Sequence, residues 1–248
     1  MDKMKKSLEG EAGFHTGLRF QPDELALVRG LIRQQWLERV AQASPGAVQQ
    51  FEAVEMDRYH EVCQLVDHKS LWPKSNRILG AEAVSAIRST SFIKTLEEEF
   101  GTFTISDEEN IGHEEMYWRL VRPDSPTDVG PLHADAWFWE LGHGKTPSGH
   151  QRVKVWVSIF TNPGKNGFRY VPGSHRQDWR YHGEERDGFV KPQIDEDEKS
   201  LNSVIFNSQA GDAIVFHDRL LHGGAPGGTS TRVSMEFTMF VKNENYFQ

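Results

Sequence analysis

Arg232-Val233-Ser234-Met235-Glu236-Phe237-Thr238-Met239-Phe240-Val241 is the stretch whose reading decides the fold. Val233, Met235, Phe237, Met239 and Val241 fall on one side of an extended chain. Arg232, Ser234, Glu236 and Thr238 fall on the other, so this is a strand with one apolar and one distinct face. Upstream, Val153, Val155, Val157 and Ile159 alternate in the same way with Lys154, Trp156, Ser158 and Phe160. Shorter strands are expected at 116–121, 203–206 and 213–217. Turn-forming clusters separate them: Asn162-Pro163-Gly164, Pro172-Gly173, and the glycine-rich run that begins at Gly223. Many strands punctuated by turns predict a barrel or a double-sheet jelly roll. The charged stretch 176–200, with Glu184-Glu185-Arg186-Asp187 and Asp195-Glu196-Asp197-Glu198-Lys199, reads as a surface insertion or lid and not a strand.

The first half of the chain has a helical period. Pro22-Asp23-Glu24 opens an apolar run through Leu25, Val28, Leu31, Ile32 and Trp36, and proline with acids in a first turn suits a helix N-terminus. A second helix is expected over 46–65 and a third over 81–100, broken near Ser89-Thr90-Ser91. These helices carry no recognisable chemistry and read as scaffold for a sheet. One domain over 1–243 is expected, with a helical portion at about 1–100 and a β core at about 101–243. The terminal Glu244-Asn245-Tyr246-Phe247-Gln248 resembles a trimmed tag-protease site and plays no part in the functional reading.

Composition narrows the classes. The chain has 248 residues, 37% of them hydrophobic and 26% charged, as in an ordinary globular protein. A net charge of −8 without a long Lys/Arg run argues against nucleic acid or an anionic membrane as the main ligand. No apolar run approaches the roughly 20 residues of a membrane span. A single cysteine, Cys63, excludes an internal disulfide and fits a reducing, cytoplasmic home.

The chemistry centres on His133-Ala134-Asp135 and the distant His222. In a strand, His-x-Asp places both side chains on one face. Two imidazoles and one carboxylate are the donor set that holds non-haem Fe(II) with positions left open. Arg232 follows His222 and shares a strand face with Ser234, so a guanidinium fork and a hydroxyl are set to take a carboxylate. Taken alone, His-x-Asp also fits an ion pair or turn contact, and Arg232 a structural bridge to an acid.

Five separated motifs occur together: Val155-Trp156-Val157-Ser158, Val171-Pro172-Gly173-Ser174-His175, Gly211-Asp212, His222-Gly223-Gly224-Ala225-Pro226, and Arg232. Over 117–240 they resemble the phytanoyl-CoA dioxygenase family of Fe(II)- and 2-oxoglutarate-dependent oxygenases. The resemblance implies a mainly β fold with flanking helices: a double-stranded β-helix, jelly-roll or cupin-like, braced by N-terminal helices. It implies Fe(II), 2-oxoglutarate and O2 as cofactor and co-substrates, with His133, Asp135 and His222 as metal ligands. Arg232 would bind the distal carboxylate of 2-oxoglutarate with help from Ser234, and Trp156 would lie near the co-substrate. Gly173 and Ser174 would shape a turn. Many members carry Asn shortly after the proline of the His222 loop, where this chain has Gly227-Gly228, which leaves that loop's hydrogen bonding open. Related halogenases replace the carboxylate, so Asp135 implies hydroxylation, with release of succinate and CO2.

Other residues have less definite readings. Tyr117 and Arg119 share one face of an earlier strand and are candidates to touch 2-oxoglutarate or an anionic substrate. Strand alternation after Asp135 would put Trp137 inward as a pocket wall, with Phe138 and Trp139 in packing roles. His143 and His150 flank a loop that is a candidate for substrate contact. His217 fits either hydrogen bonding behind the ligands or packing, and His175 a structural role. Together these favour a small polar metabolite as substrate. A non-redox or non-catalytic metal-binding jelly roll with the same triad is the competing reading.

Overall fold

The alternating stretches form the centre of an antiparallel sheet in the computed structural model, which describes residues 3–186 and 188–243. The terminal 244–248 stretch lies outside the described residues. Strands β1 (Phe14–Arg19), β2 (Thr104–Ile105), β3 (Tyr117–Val121), β4 (His150–Phe160), β5 (Gly167–Tyr170), β6 (Tyr181–Arg186), β7 (Phe189–Ile194), β8 (Val204–Ile205), β9 (Asp212–His217), β10 (His222–Ala225) and β11 (Arg232–Lys242) are joined in three sheets. The major sheet runs β1-β9-β4-β11-β2, with β3 also paired to β11. The minor sheet runs β10-β5-β8, and β6-β7 is a separate hairpin.

Alternation sorts the major sheet as the sequence predicts. Val153, Val155, Val157 and Ile159 of β4 join Val233, Met235, Phe237, Met239 and Val241 of β11 in one core with the helices. Burying each such side chain contributes about 2 kcal/mol. The helices are α1 (Lys3–Glu9), α2 (Pro22–Ala43), α3 (Val48–Glu52), α4 (His68–Leu71), α5 (Ala81–Arg88), α6 (Ser91–Phe100) and α7 (Asp135–Glu140). Helix α2 buries Val28, Ile32, Trp36 and Val40, one stripe at four-residue spacing. The Glu24 carboxylate accepts the Gln21 N–H at 2.9 Å and the Ser91 N–H at 2.5 Å, tying the starts of α2 and α6 together. The break expected near Ser89-Thr90-Ser91 is real, and the Thr90 hydroxyl caps α6.

The other face of the major sheet looks toward the minor sheet. Trp156, Ile214 and Phe216 pack there against Phe168, Tyr170 and Leu220. This is the expected two-sheet jelly-roll core braced by N-terminal helices.

Two expectations need correction. Residues 46–65 form no single helix: α3 is followed by 3-10 turns at Met56–Glu61 and Cys63–Leu65. Here Phe51, Met56 and Tyr59 are buried, and packing of these large side chains overrides helical propensity. Stretch 176–200 is no structureless lid either, because β6 and β7 pair residue by residue from Tyr181↔Ile194 to Arg186↔Phe189. Its strands are mostly solvent-exposed, which hides the apolar alternation that would reveal them.

Two turns set the approach to β10. Gly173 takes a left-handed backbone (φ 74°) in the Pro172-Gly173-Ser174 turn. The Ser174 hydroxyl accepts the Leu221 N–H at 2.8 Å, pinning the residue before His222. At Gly228 a Cβ would stand 2.3 Å from the Asn162 side-chain oxygen. That oxygen accepts the N–H groups of Thr229 and Ser230, so the facing turn supplies the asparagine that the glycines lack.

Candidate active site

His133 and His222 are brought together by the backbone. Each N–H donates to the other's carbonyl at 2.9 Å, and the rings stand 4.6 Å apart. Nδ1 of His133 meets the Pro131 carbonyl and Nδ1 of His222 the Leu220 carbonyl, each at 2.9 Å. A carbonyl only accepts, so the proton sits on Nδ1 and the Nε2 lone pair is free to bind a metal.

Asp135 is not on a strand with His133. Ala134 is the N-cap of α7 and Asp135 its first residue. The change from extended to helical backbone still turns the carboxylate back to the imidazoles: Oδ1 lies 3.9 Å from His133 Nε2 and Oδ2 lies 3.4 Å from His222 Nε2. One donor atom from each residue falls within 4.8 Å of the others. The set fits a small cation on its own chemistry, because the free Nε2 lone pairs of two imidazoles converge with a buried carboxylate. Burial and the neighbouring His222 push His133 down to about 4, with Asp135 opposing, and burial also lowers His222. Both imidazoles are therefore neutral at pH 7, the state a metal needs.

Arg232 opens β11 and is buried. Its Nη1 donates to the Gly167 carbonyl at 2.6 Å, but its Nε has no partner among the described residues. The hydroxyls of Ser234 and Ser158, opposite each other across β11 and β4, are also buried and unpartnered. A buried orphan donor costs about 1–3 kcal/mol, so three on one patch suit an anion better than an empty core. A Cβ at Gly224, two residues along β10 from His222, would stand 3.3 Å from Arg232 Nη2 and 2.6 Å from Val129. Glycine is thus what lets β10 approach the guanidinium. Burial draws Arg232 down to about 10, which leaves it charged at neutral pH.

Trp156 faces inward between β9 and β11 and packs on Phe168. Tyr117 is buried opposite Glu236, and burial with Glu236 pushes its hydroxyl up to about 12. Arg119 is paired with Glu236 and reaches the Tyr117 hydroxyl at 3.3 Å. Trp137 does not face the ligands: in α7 it packs with Leu132, Val171 and Leu221 and stacks on Tyr181 at 4.5 Å. Phe138 instead stands edge-on to His133 at 5.4 Å, because a helical turn replaces the expected alternation. His143 lies behind Phe138 and its Nε2 meets the Val190 carbonyl at 2.6 Å. His150, at the far end of β4, contacts the Ser148 carbonyl at 2.9 Å. Neither imidazole is turned to the triad. His217 accepts the Arg219 N–H, and His175 packs against it.

Lys154, Ser158 and Glu236 were not singled out from the sequence. Their signal was present as polar residues on the distinct face of the two longest strands. Glu108, which accepts the Thr238 hydroxyl at 2.8 Å, comes from a loop and had no such signal.

A His-Asp-His cluster that could hold a metal ion and a buried set of unpartnered donors lie on the inward faces of the two sheets. The phytanoyl-CoA dioxygenase (PhyH) family model matches residues 25–233, and the chain belongs to that family: it is a non-haem iron- and 2-oxoglutarate-dependent oxygenase. No curated protein matches the sequence. Among solved structures, the fold is similar to that of the non-haem monooxygenase ThoJ in its apo form (16% identity, TM-score 0.55, 96% of this chain and 76% of that one). It is similar to EctD from S. alaskensis with bound Fe (13%, 0.55, 97% and 77%). It is also similar to the epimerase SnoN in complex with Fe3+, alpha ketoglutarate and nogalamycin RO (16%, 0.53, 96% and 82%). Among the described residues, no helix is long and apolar enough to cross a membrane.

Proposed function

We propose that the chain hydroxylates a small polar metabolite, with His133, Asp135 and His222 holding Fe(II) and Arg232 anchoring 2-oxoglutarate. The observation that carries this reading is the orphaned patch of Arg232 Nε, Ser234 Oγ and Ser158 Oγ beside the triad. When bound, iron with 2-oxoglutarate supplies oxidising power from O2 and releases succinate and CO2. The chain's own residues bind and orient. Arg232 offers a charge-assisted fork to the distal carboxylate, and the two serine hydroxyls complete its hydrogen bonds. Trp156 and Phe168 keep water from that end. Phe138 packs at right angles to His133, whose side chain is 17% exposed, so a metal held there would be largely screened from solvent.

A polar substrate is supported by the inward face itself. Glu236, Arg119, Tyr117 and Lys154 present charge and hydroxyl groups where a long acyl chain would need apolar wall. Asp135 supports hydroxylation over halogenation, since the carboxylate occupies the position a halide would need. A succinate-release screen over amino acids, sugars, phosphonates and acyl-CoA thioesters tests the reading. Release with a small polar compound and an oxygen atom added to it are expected, and release with acyl-CoA thioesters alone would overturn the substrate class. Anaerobic addition of Fe(II) and 2-oxoglutarate should give a weak visible charge-transfer band, which a non-redox jelly roll would lack.

A further inference from the structure

The two imidazoles of the triad are each fixed by a backbone carbonyl, but the carboxylate is not. Among the described residues, Asp135 Oδ2 has no hydrogen-bond partner, and α7, which carries it, is only six residues long. The ammonium of Lys154 faces it, with Nζ 3.5 Å from Oδ2. Lys154 lies on β4, in the middle of the major sheet, and its side chain is 3% exposed, so the ammonium cannot turn to solvent. It donates to the Thr238 hydroxyl at 2.8 Å. That hydroxyl donates to Glu108, which in turn accepts from Lys74 at 3.0 Å. The chain of contacts holds Nζ in place and leaves two of its three donors for other partners.

We propose that Lys154 is a positioning residue of the metal centre: its ammonium holds one oxygen of Asp135 and leaves the other for the metal. A carboxylate held by one oxygen occupies one coordination position, whereas a free carboxylate can swing to occupy two. Positions saved in this way are the ones 2-oxoglutarate and O2 require. The role rests on the triad being the iron site.

The test uses full-length Fe(II)-loaded protein without oxygen, with 2-oxoglutarate titrated in and followed by its charge-transfer band. Lys154→Met, similar in length and without charge, should retain iron and melt near the parent temperature. It should bind 2-oxoglutarate about tenfold more weakly, a difference of about 1.4 kcal/mol. Thr238→Val keeps the charge, frees Nζ from its tether, and should shift binding in the same direction by less. It replaces Lys154→Met as the decisive variant if that protein does not fold. Unchanged 2-oxoglutarate affinity in a folded, iron-loaded variant overturns the proposal. His222→Ala separates the two levels. Iron loss there with no effect at Lys154 rejects the role of Lys154 alone, and iron retention there rejects the triad itself.

Discussion

The two faces of β11 are equally hidden from water and chemically opposite. Val233, Met235, Phe237, Met239 and Val241 are buried against helices, while Arg232, Ser234, Glu236 and Thr238 are buried against the site. On the first face every contact is satisfied by packing. On the second, Arg232 Nε and Ser234 Oγ have no partner among the described residues. Burial alone therefore does not mark function here; unmet hydrogen-bonding capacity in a buried position does. One face serves stability, and the other holds the unmet donors.

Substitutions on the two faces should separate cleanly. The largest effect is expected from His222→Ala: iron binding and succinate release should both fall below detection, by metal analysis and coupled assay. Next, Phe237→Ala on the helix face should destabilise the fold by about 3–5 kcal/mol in chemical denaturation. Its iron-loaded fraction should keep the parental requirement for 2-oxoglutarate, and a raised requirement would blur the division between the faces. Arg232→Ala on the site face should do the reverse. It should raise the KM for 2-oxoglutarate about a hundredfold, from a lost buried charge contact of about 3 kcal/mol, with a melting temperature near the parent's. Normal turnover at low co-substrate would remove the anchor role.

Acid should act on the site before it acts on the helix core. His133 and His222 have lowered pKa values in the folded protein, so between about 6.5 and 4 the unfolded chain binds more protons. Stability of the metal-free protein should be fully present above about pH 6.5 and fall as pH drops, by at most about 1.4 kcal/mol per unit for each imidazole. The fall should be shallower in His133→Gln, read from melting temperatures across that range. The smallest effect is expected from Ser234→Ala, which removes one hydrogen bond of about 1 kcal/mol and should raise the KM for 2-oxoglutarate about fivefold.

The fold was legible where side chains repeat with a period. β4, β11 and α2 announce themselves because each buries one regular stripe against a large neighbour. The short strands β1, β2 and β10 and the hairpin β6-β7 have too few apolar positions to show a period, and long-range pairing alone makes them strands. The site was legible in residue type, because two imidazoles, a carboxylate and a later Arg-x-Ser are uncommon together in the required order. Its local geometry was less so. His-x-Asp looked like a strand pair, yet the chain turns into α7 at Asp135, and that exchanges the expected places of Trp137 and Phe138.

The sequence by itself determined the His-Asp-His donor set and the two-faced strands, since these depend on chemistry and spacing along one chain. Only the tertiary structure decided that Lys154 stands over Asp135, that Asn162 serves the Gly227-Gly228 turn, and that His143 and His150 turn elsewhere. Those facts depend on which strands pair and on register, and register couples residues far apart in the chain whose side chains carry no mark of each other.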